Sequence, residues 1–87
     1  MSDSLRIDKW LWYARFCKTR SIAQEKAAAG FIRLNGQRVE KPSAAVRVGD
    51  VMTLPAGNGI ISVKVLALGI RRGPPAEART LYGILPE

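Results

Sequence analysis

The dipeptide Asn35-Gly36 lies between Phe31-Ile32-Arg33-Leu34 and Gln37-Arg38-Val39-Glu40. A two-residue hairpin loop that follows the twist of its strands needs positive φ at both central positions, and Asn followed by Gly adopts that cheaply. This pair fixes a hairpin near the middle of the chain. It also marks where the apolar pattern changes, from a helical period before Gly30 to a period of two after it.

Upstream, Asp8 reads as the N-cap of a helix over about 9–17, with Ile7 and Trp12 spaced for a hydrophobic staple. At 100° per residue Ile7, Trp10, Leu11, Ala14 and Cys17 share one side, the expected core face. Lys18-Thr19-Arg20 is a short connector. Ser21 and Gln24 have capping-box spacing, which predicts a second helix over about 22–29, with Ala23 and Ala27 inward and Gly30 just past its end.

Downstream, Lys41-Pro42-Ser43 interrupts the ladder, and Val51-Met52-Thr53-Leu54 reads as a strand after a Gly49-Asp50 turn. Ile60 to Leu68 is the longest β-prone stretch, with Ile61, Val63, Val65 and Ala67 on one side. Ala76 to Tyr82 has the spacing of a two-turn helix, with Ala78, Leu81, Tyr82 and Leu85 aligned. The expected fold is α+β: two short N-terminal helices packed on a small, mostly antiparallel sheet, plus a short C-terminal helix. Residues 1–75 form the domain, and residues 76–87 a helical extension packing on the first helix.

Charge narrows the function. The 87 residues carry 14 Lys and Arg against 7 Asp and Glu, a formal net charge of +7. Nine of the basic residues fall within positions 1–41 (Arg6, Lys9, Arg15, Lys18, Arg20, Lys26, Arg33, Arg38 and Lys41). A field of that sign favours polyanions, and Arg adds a planar fork suited to phosphate. With no His and a single cysteine, Cys17, the chain has no His-based catalysis, no multi-cysteine metal site and no intrachain disulfide. No nucleophile and base pair can be assembled, so no enzyme, catalytic residue, metal or cofactor is expected. The start MSDSLRIDKW is charged where a signal sequence is apolar, and no run of 18 apolar residues occurs. A cytoplasmic monomer with no membrane association is expected.

Arg6, Lys9, Arg15, Lys18 and Arg20 crowd fifteen positions around the helix connector. A solvated charged face is one reading; the sign bias and the free amides of the second helix favour a phosphate-binding corner. Thr19 and Lys26 adjoin that corner. Trp12 and Phe16 are expected under the tail, leaving Tyr13, beside Lys9, as a ring for stacking on a base. The hairpin tip offers Arg33, Asn35, Gly36, Gln37 and Arg38 to a backbone or a wide, shallow groove, which suits structured RNA. Arg71 and Arg72 are either further phosphate contacts or an exposed linker.

These residues also carry a resemblance. Arg6-Ile7-Asp8-Lys9-Trp10-Leu11-Trp12, Ala14-Arg15-Phe16, Lys18-Thr19-Arg20, Ala23, Gly30, Asn35-Gly36, Lys41-Pro42-Ser43 and Val48-Gly49-Asp50 resemble the RNA-binding domain of the ribosomal protein S-four type, the alpha-L motif. The wording at 8–12 and 14–20, with Arg71-Arg72 and Leu81-Tyr82 later, looks closer still to the ribosome-associated heat-shock proteins of fifteen kilodaltons. The resemblance implies binding of structured RNA, namely ribosomal RNA of the large subunit in a heat-shock or stalled-ribosome context. It implies contacts from Arg6, Lys9, Arg15, Lys18, Thr19, Arg20 and the tip from Asn35 to Arg38.

Other functions fit the same residues less well. A detached RNA-targeting module of an RNA-modifying enzyme or synthetase has the same motif. DNA binding through a helix-turn-helix would present mainly Gln24, Glu25, Lys26 and Ala28 to base edges, a sparse set for sequence readout, so any DNA binding is expected to be the weaker. A protein-interaction module would instead expose Trp12, Tyr13 and Phe16 as an anchor cluster.

Overall fold

Tertiary backbone partners decide where the first helix begins. In the computed structural model, which describes residues 3–86, Leu5–Arg6 form strand β1 and helix α1 follows at once over Ile7–Tyr13. The Ile7 and Asp8 amides donate to the carbonyls of Ala44 (2.8 Å) and Pro42 (3.3 Å), so the turn at 42–44 satisfies the amides a side-chain cap would otherwise meet. The N-cap is Arg6, without a capping side chain, and Asp8 sits inside the first turn. The helix stops at Tyr13 rather than near Cys17 because Arg15 adopts φ 64°, which turns the chain.

Helix α2 spans Arg20–Ala28 and starts two residues earlier than the Ser21 spacing predicts. Thr19 is the cap, its Oγ1 accepting from the Ile22 amide at 3.1 Å. Ala23 and Ala27 face inward and are fully buried, which lets α2 lie close on α1. Gly30, at φ 81°, closes the helix as the sequence predicts.

The hairpin forms with β2 at Arg33–Leu34 and β3 at Gln37–Arg38, and Asn35 and Gly36 take φ 52° and 83°. Strands β4 (Ala45–Val46), β5 (Val51–Ala56), β6 (Gly59–Val65) and β7 (Tyr82–Ile84) complete the set. Five strands make one antiparallel sheet in the order β3-β2-β5-β6-β7, while β1 pairs separately with β4. Met52 and Leu54 of β5 and Val63 and Val65 of β6 point with alternate register into the core against Ile7, Trp10 and Leu11. Burying side chains of that size contributes about 1.5–3 kcal/mol each. The polar end of Trp10 is satisfied as well, its Nε1 donating to the Ala67 carbonyl at 3.0 Å.

The tail differs from the expected two-turn helix. Pro75–Ala78 form α3, Arg79–Leu81 tighten into a 3-10 turn, and from Tyr82 the chain is a strand. Sheet pairing takes over there. The Leu66 and Ala67 amides both donate to the Leu81 carbonyl (2.8 and 3.2 Å), and the Leu85 amide donates to Ser62 (2.9 Å). The Tyr82 ring lies 4.6 Å from that of Phe16, three residues past the end of α1.

Candidate nucleic-acid interface

Asp8 is fully buried, yet Arg6 and Arg20, two of the side chains the sequence assigns to phosphate, converge on it. Arg6 Nε donates to Oδ1 at 3.1 Å and Nη2 to Oδ2 at 3.0 Å; Gln24 Nε2 donates to Oδ2 at 3.2 Å; the Lys9 amide donates to Oδ1 at 2.7 Å. Arg20 Nε stands 3.6 Å from Oδ2, shielded from solvent and without a hydrogen-bond partner. Burial pushes the Asp8 carboxyl up, but Arg6, Gln24 and the Lys9 amide outweigh it and hold the carboxyl below its usual range. Arg6 and Arg20 keep 49% and 40% of their side chains in solvent, so both still face outward. Sequence reasoning missed this junction because Asp8 in front of an apolar-periodic run has the appearance of a cap.

Several expected contacts turn out to be structural. Tyr13 is only 7% exposed, packed near Gly69 and Leu81 with Lys9 Nζ 5.8 Å from its ring centre, so it has no free face for a base. The apolar side of α1 is simply wider than a five-residue stripe. The Thr19 hydroxyl is used as a cap. Asn35 is fastened at the tip: its Nδ2 donates to Asp50 at 3.1 Å and its Oδ1 accepts from the Val51 amide at 2.9 Å.

Arg15 and Arg72 form a reciprocal clasp. Arg15 Nε donates to the Gly73 carbonyl at 2.8 Å, and Arg72 Nε donates to the Trp12 carbonyl at 3.1 Å while its guanidinium lies 5.8 Å from the Trp12 ring. Arg71 is paired with Glu77 at 3.0 Å. Burial pushes the Cys17 thiol up, against a smaller opposing effect of Lys26, so it stays protonated and inert at neutral pH.

Lys18, Arg33, Gln37 and Arg38 are exposed, and Lys26 is half-buried. Lys26 lies on α2 itself, the Asp8 junction and Lys18 lie at its N-terminal end, and at its C-terminal end the Arg38 guanidinium lies over Gly30, where a Cβ would collide with it. Nine helical residues span about 14 Å, so the helix separates two clusters of positive charge by a few phosphate spacings. An open groove of about 630 Å³ continues beside the hairpin, lined by Arg38, Lys41, Ser43 and Arg47 together with Glu40 and Asp50. Sequence reasoning missed Arg47, which lies beyond the dense basic segment, and the groove, which exists only once residues 43–50 fold back beside the hairpin. Among the described residues no group of three or more His, Cys, Asp or Glu is placed to hold a metal, and no helix is long and apolar enough to cross a membrane.

Comparison with known proteins follows the same outline. Residues 5–52 match the S4 domain family model. Heat shock protein 15 of Escherichia coli K12 is 46% identical over 78 residues, covering 90% of this chain and 58% of that protein, so the chain spans under two thirds of this relative's length. The RQC P-site tRNA stabilizing factor of Listeria innocua is 33% identical over 87 residues, covering all of this chain and 92% of the factor. The structure of Vibrio cholerae heat shock protein 15 superposes with a TM-score of 0.89 at 38% identity, covering 95% of this chain and 83% of that one. That homologue is trimeric, which overturns the expectation of a monomer. Charge and composition do not reveal which apolar side chains a fold leaves outside; here Ile70, Ile84 and Leu66 are 90%, 67% and 50% exposed.

Proposed function

The chain belongs to the S4 domain family, and from that membership we propose that it binds structured RNA through the two ends of α2 and the adjoining hairpin. The observation that carries this reading is the pairing of exposed cations with anchored ones. Lys18 at the start of α2 and Arg33 and Arg38 on the hairpin stand in solvent, while Arg6 and Arg20 are held by a buried carboxylate with their outer edges free. Arginines so placed meet phosphates with little further loss of freedom, and a rigid pair of helices with a short hairpin reads backbone shape rather than base sequence.

The similarity to heat shock protein 15 supports a ribosomal RNA target on the large subunit, in a heat-shock or stalled-ribosome setting, and an assembly of copies like that of the Vibrio homologue. The near end-to-end match to the Listeria factor favours a second reading, in which the RNA is a transfer RNA held on the ribosome.

Titrating the chain against a labelled junction fragment of large-subunit ribosomal RNA, a transfer RNA and mixed-sequence DNA tests both. With roughly four to six phosphate contacts the logarithmic salt slope is about −3 to −5. The double variant K18Q/R20Q lowers that slope by about 2, whereas K64Q, on β6 away from the cluster, leaves it nearly unchanged. A flat salt response, or equal affinity for DNA at matched salt, overturns the proposal. Preference between the two RNAs decides the target.

A further inference from the structure

Asp8 has no place in a list of phosphate-binding residues: it is an acid, it is buried, and its charge opposes the ligand. Its surroundings give it a different role. One oxygen, Oδ2, has a nitrogen of Arg6 at 3.0 Å, of Gln24 at 3.2 Å and of Arg20 at 3.6 Å, so side chains from the start of α1 and from α2 converge on a single atom. Two guanidinium groups that each come this close to one oxygen lie within reach of one phosphate. An acid kept only to neutralise a buried cation needs one partner. Here two arginines share one carboxylate, which leaves one excess positive charge, and both side chains remain partly in water.

Arg20 is the informative member. Its Nε is shielded from solvent but makes no hydrogen bond, an arrangement that costs stability and calls for a reason. Arg6 is held at two points, while Arg20 is drawn in electrostatically and left a bond short. That is the geometry of a clamp with one fixed jaw and one looser jaw, whose outer guanidinium edge stays in solvent where an anion can meet it.

We infer that Asp8 is a positioning residue for RNA binding, which sets Arg6 and Arg20 as a preassembled pair around a single backbone phosphate. The inference rests on the RNA-binding reading above and adds to it a residue that touches no RNA. Because Asp8 repels the ligand, the inference makes a prediction opposite in sign to simple charge counting. D8N raises the net charge by one and should tighten RNA binding if charge alone matters. If Asp8 positions the arginines, D8N weakens binding.

The test uses the full chain and the ribosomal junction fragment, with folded fraction checked by circular dichroism. D8N is expected to weaken binding about tenfold, the effect of losing one well-placed charge-assisted contact, and to lower the salt slope by about 1. A merely structural role would reduce the active fraction and leave the slope of the remaining molecules unchanged. In the R6Q/R20Q background D8N is expected to have no further effect. Parent-like or tighter binding by folded D8N, or an equal loss in both backgrounds, overturns the inference. If D8N does not fold, R6K and R20K replace it: each keeps its charge without the planar fork and is expected to bind about three- to tenfold more weakly, and parent affinity for both overturns the inference. Absence of salt-dependent binding by the parent chain refutes the RNA-binding reading itself and is distinguishable from either outcome.

Discussion

The corner around Asp8 and the corner around Gly73 use the same residue type for opposite ends. At the first, Arg6 and Arg20 are gathered by a carboxylate. At the second, Arg15 and Arg72 are gathered by the backbone carbonyls of Gly73 and Trp12, each arginine reaching across to the other's segment. A carboxylate fixes a guanidinium by charge and can share it with another anion. Carbonyls fix it by geometry, and in doing so the arginines bind a loop to the end of α1. Each corner gathers two arginines. What separates ligand capture from chain fastening is the chemistry of the acceptor.

The comparison breaks most visibly if the tail that follows the Gly73 corner is dispensable. Deleting residues 75–87 removes Leu81, which is buried, along with Tyr82 against Phe16 and the whole of β7. A loss of about 3–5 kcal/mol is expected, a large share of the stability of a domain this size. Thermal denaturation followed by tryptophan emission should show a broad, early transition; an unchanged midpoint would mean that the tail fastens nothing.

Smaller and more selective effects follow within the clasp. R15A and R72A should each cost about 1–2 kcal/mol, lowering the melting temperature by roughly 4–16 °C, while shifting the RNA salt slope by less than about half a unit. Arg15 was among the expected phosphate contacts, so a full unit lost from the slope in R15A would move it from fastener to ligand contact.

The mildest effect lies in acid. The Asp8 carboxyl is held low in the folded chain, so its contribution to stability is complete above the ordinary carboxylate range and is lost as pH falls through the folded value. Urea unfolding of the parent and of D8N should therefore differ at pH 6 and converge as the pH drops toward 3. A gap that widens in acid would mean the carboxyl is raised instead.

Local chemistry made much of the fold legible. Asn35-Gly36, Gly30 and the alternation through Val63 and Val65 each answer to rules that operate within a few residues. The errors arose where distant backbone intervened. Ala44 and Pro42 took over the helix-start amides, so Asp8 was released from capping, and Ser62 and Leu66 drew the tail from helix into strand. At the site, the sequence identified which cations are concentrated but not which are already engaged. Lys18 and Arg15 look equivalent in a charge run, and only the folded chain brings Gly73 to Arg15.

Gly30 has a mechanical consequence. With no side chain there, the Arg38 guanidinium occupies the space beside the backbone at the end of α2, while Asn35 pins the hairpin tip to Asp50 and Val51. The hairpin is thus held at its tip by Asn35 and packed against the end of α2 through Arg38. The fit of the hairpin against α2 therefore depends on the smallest residue in the sequence.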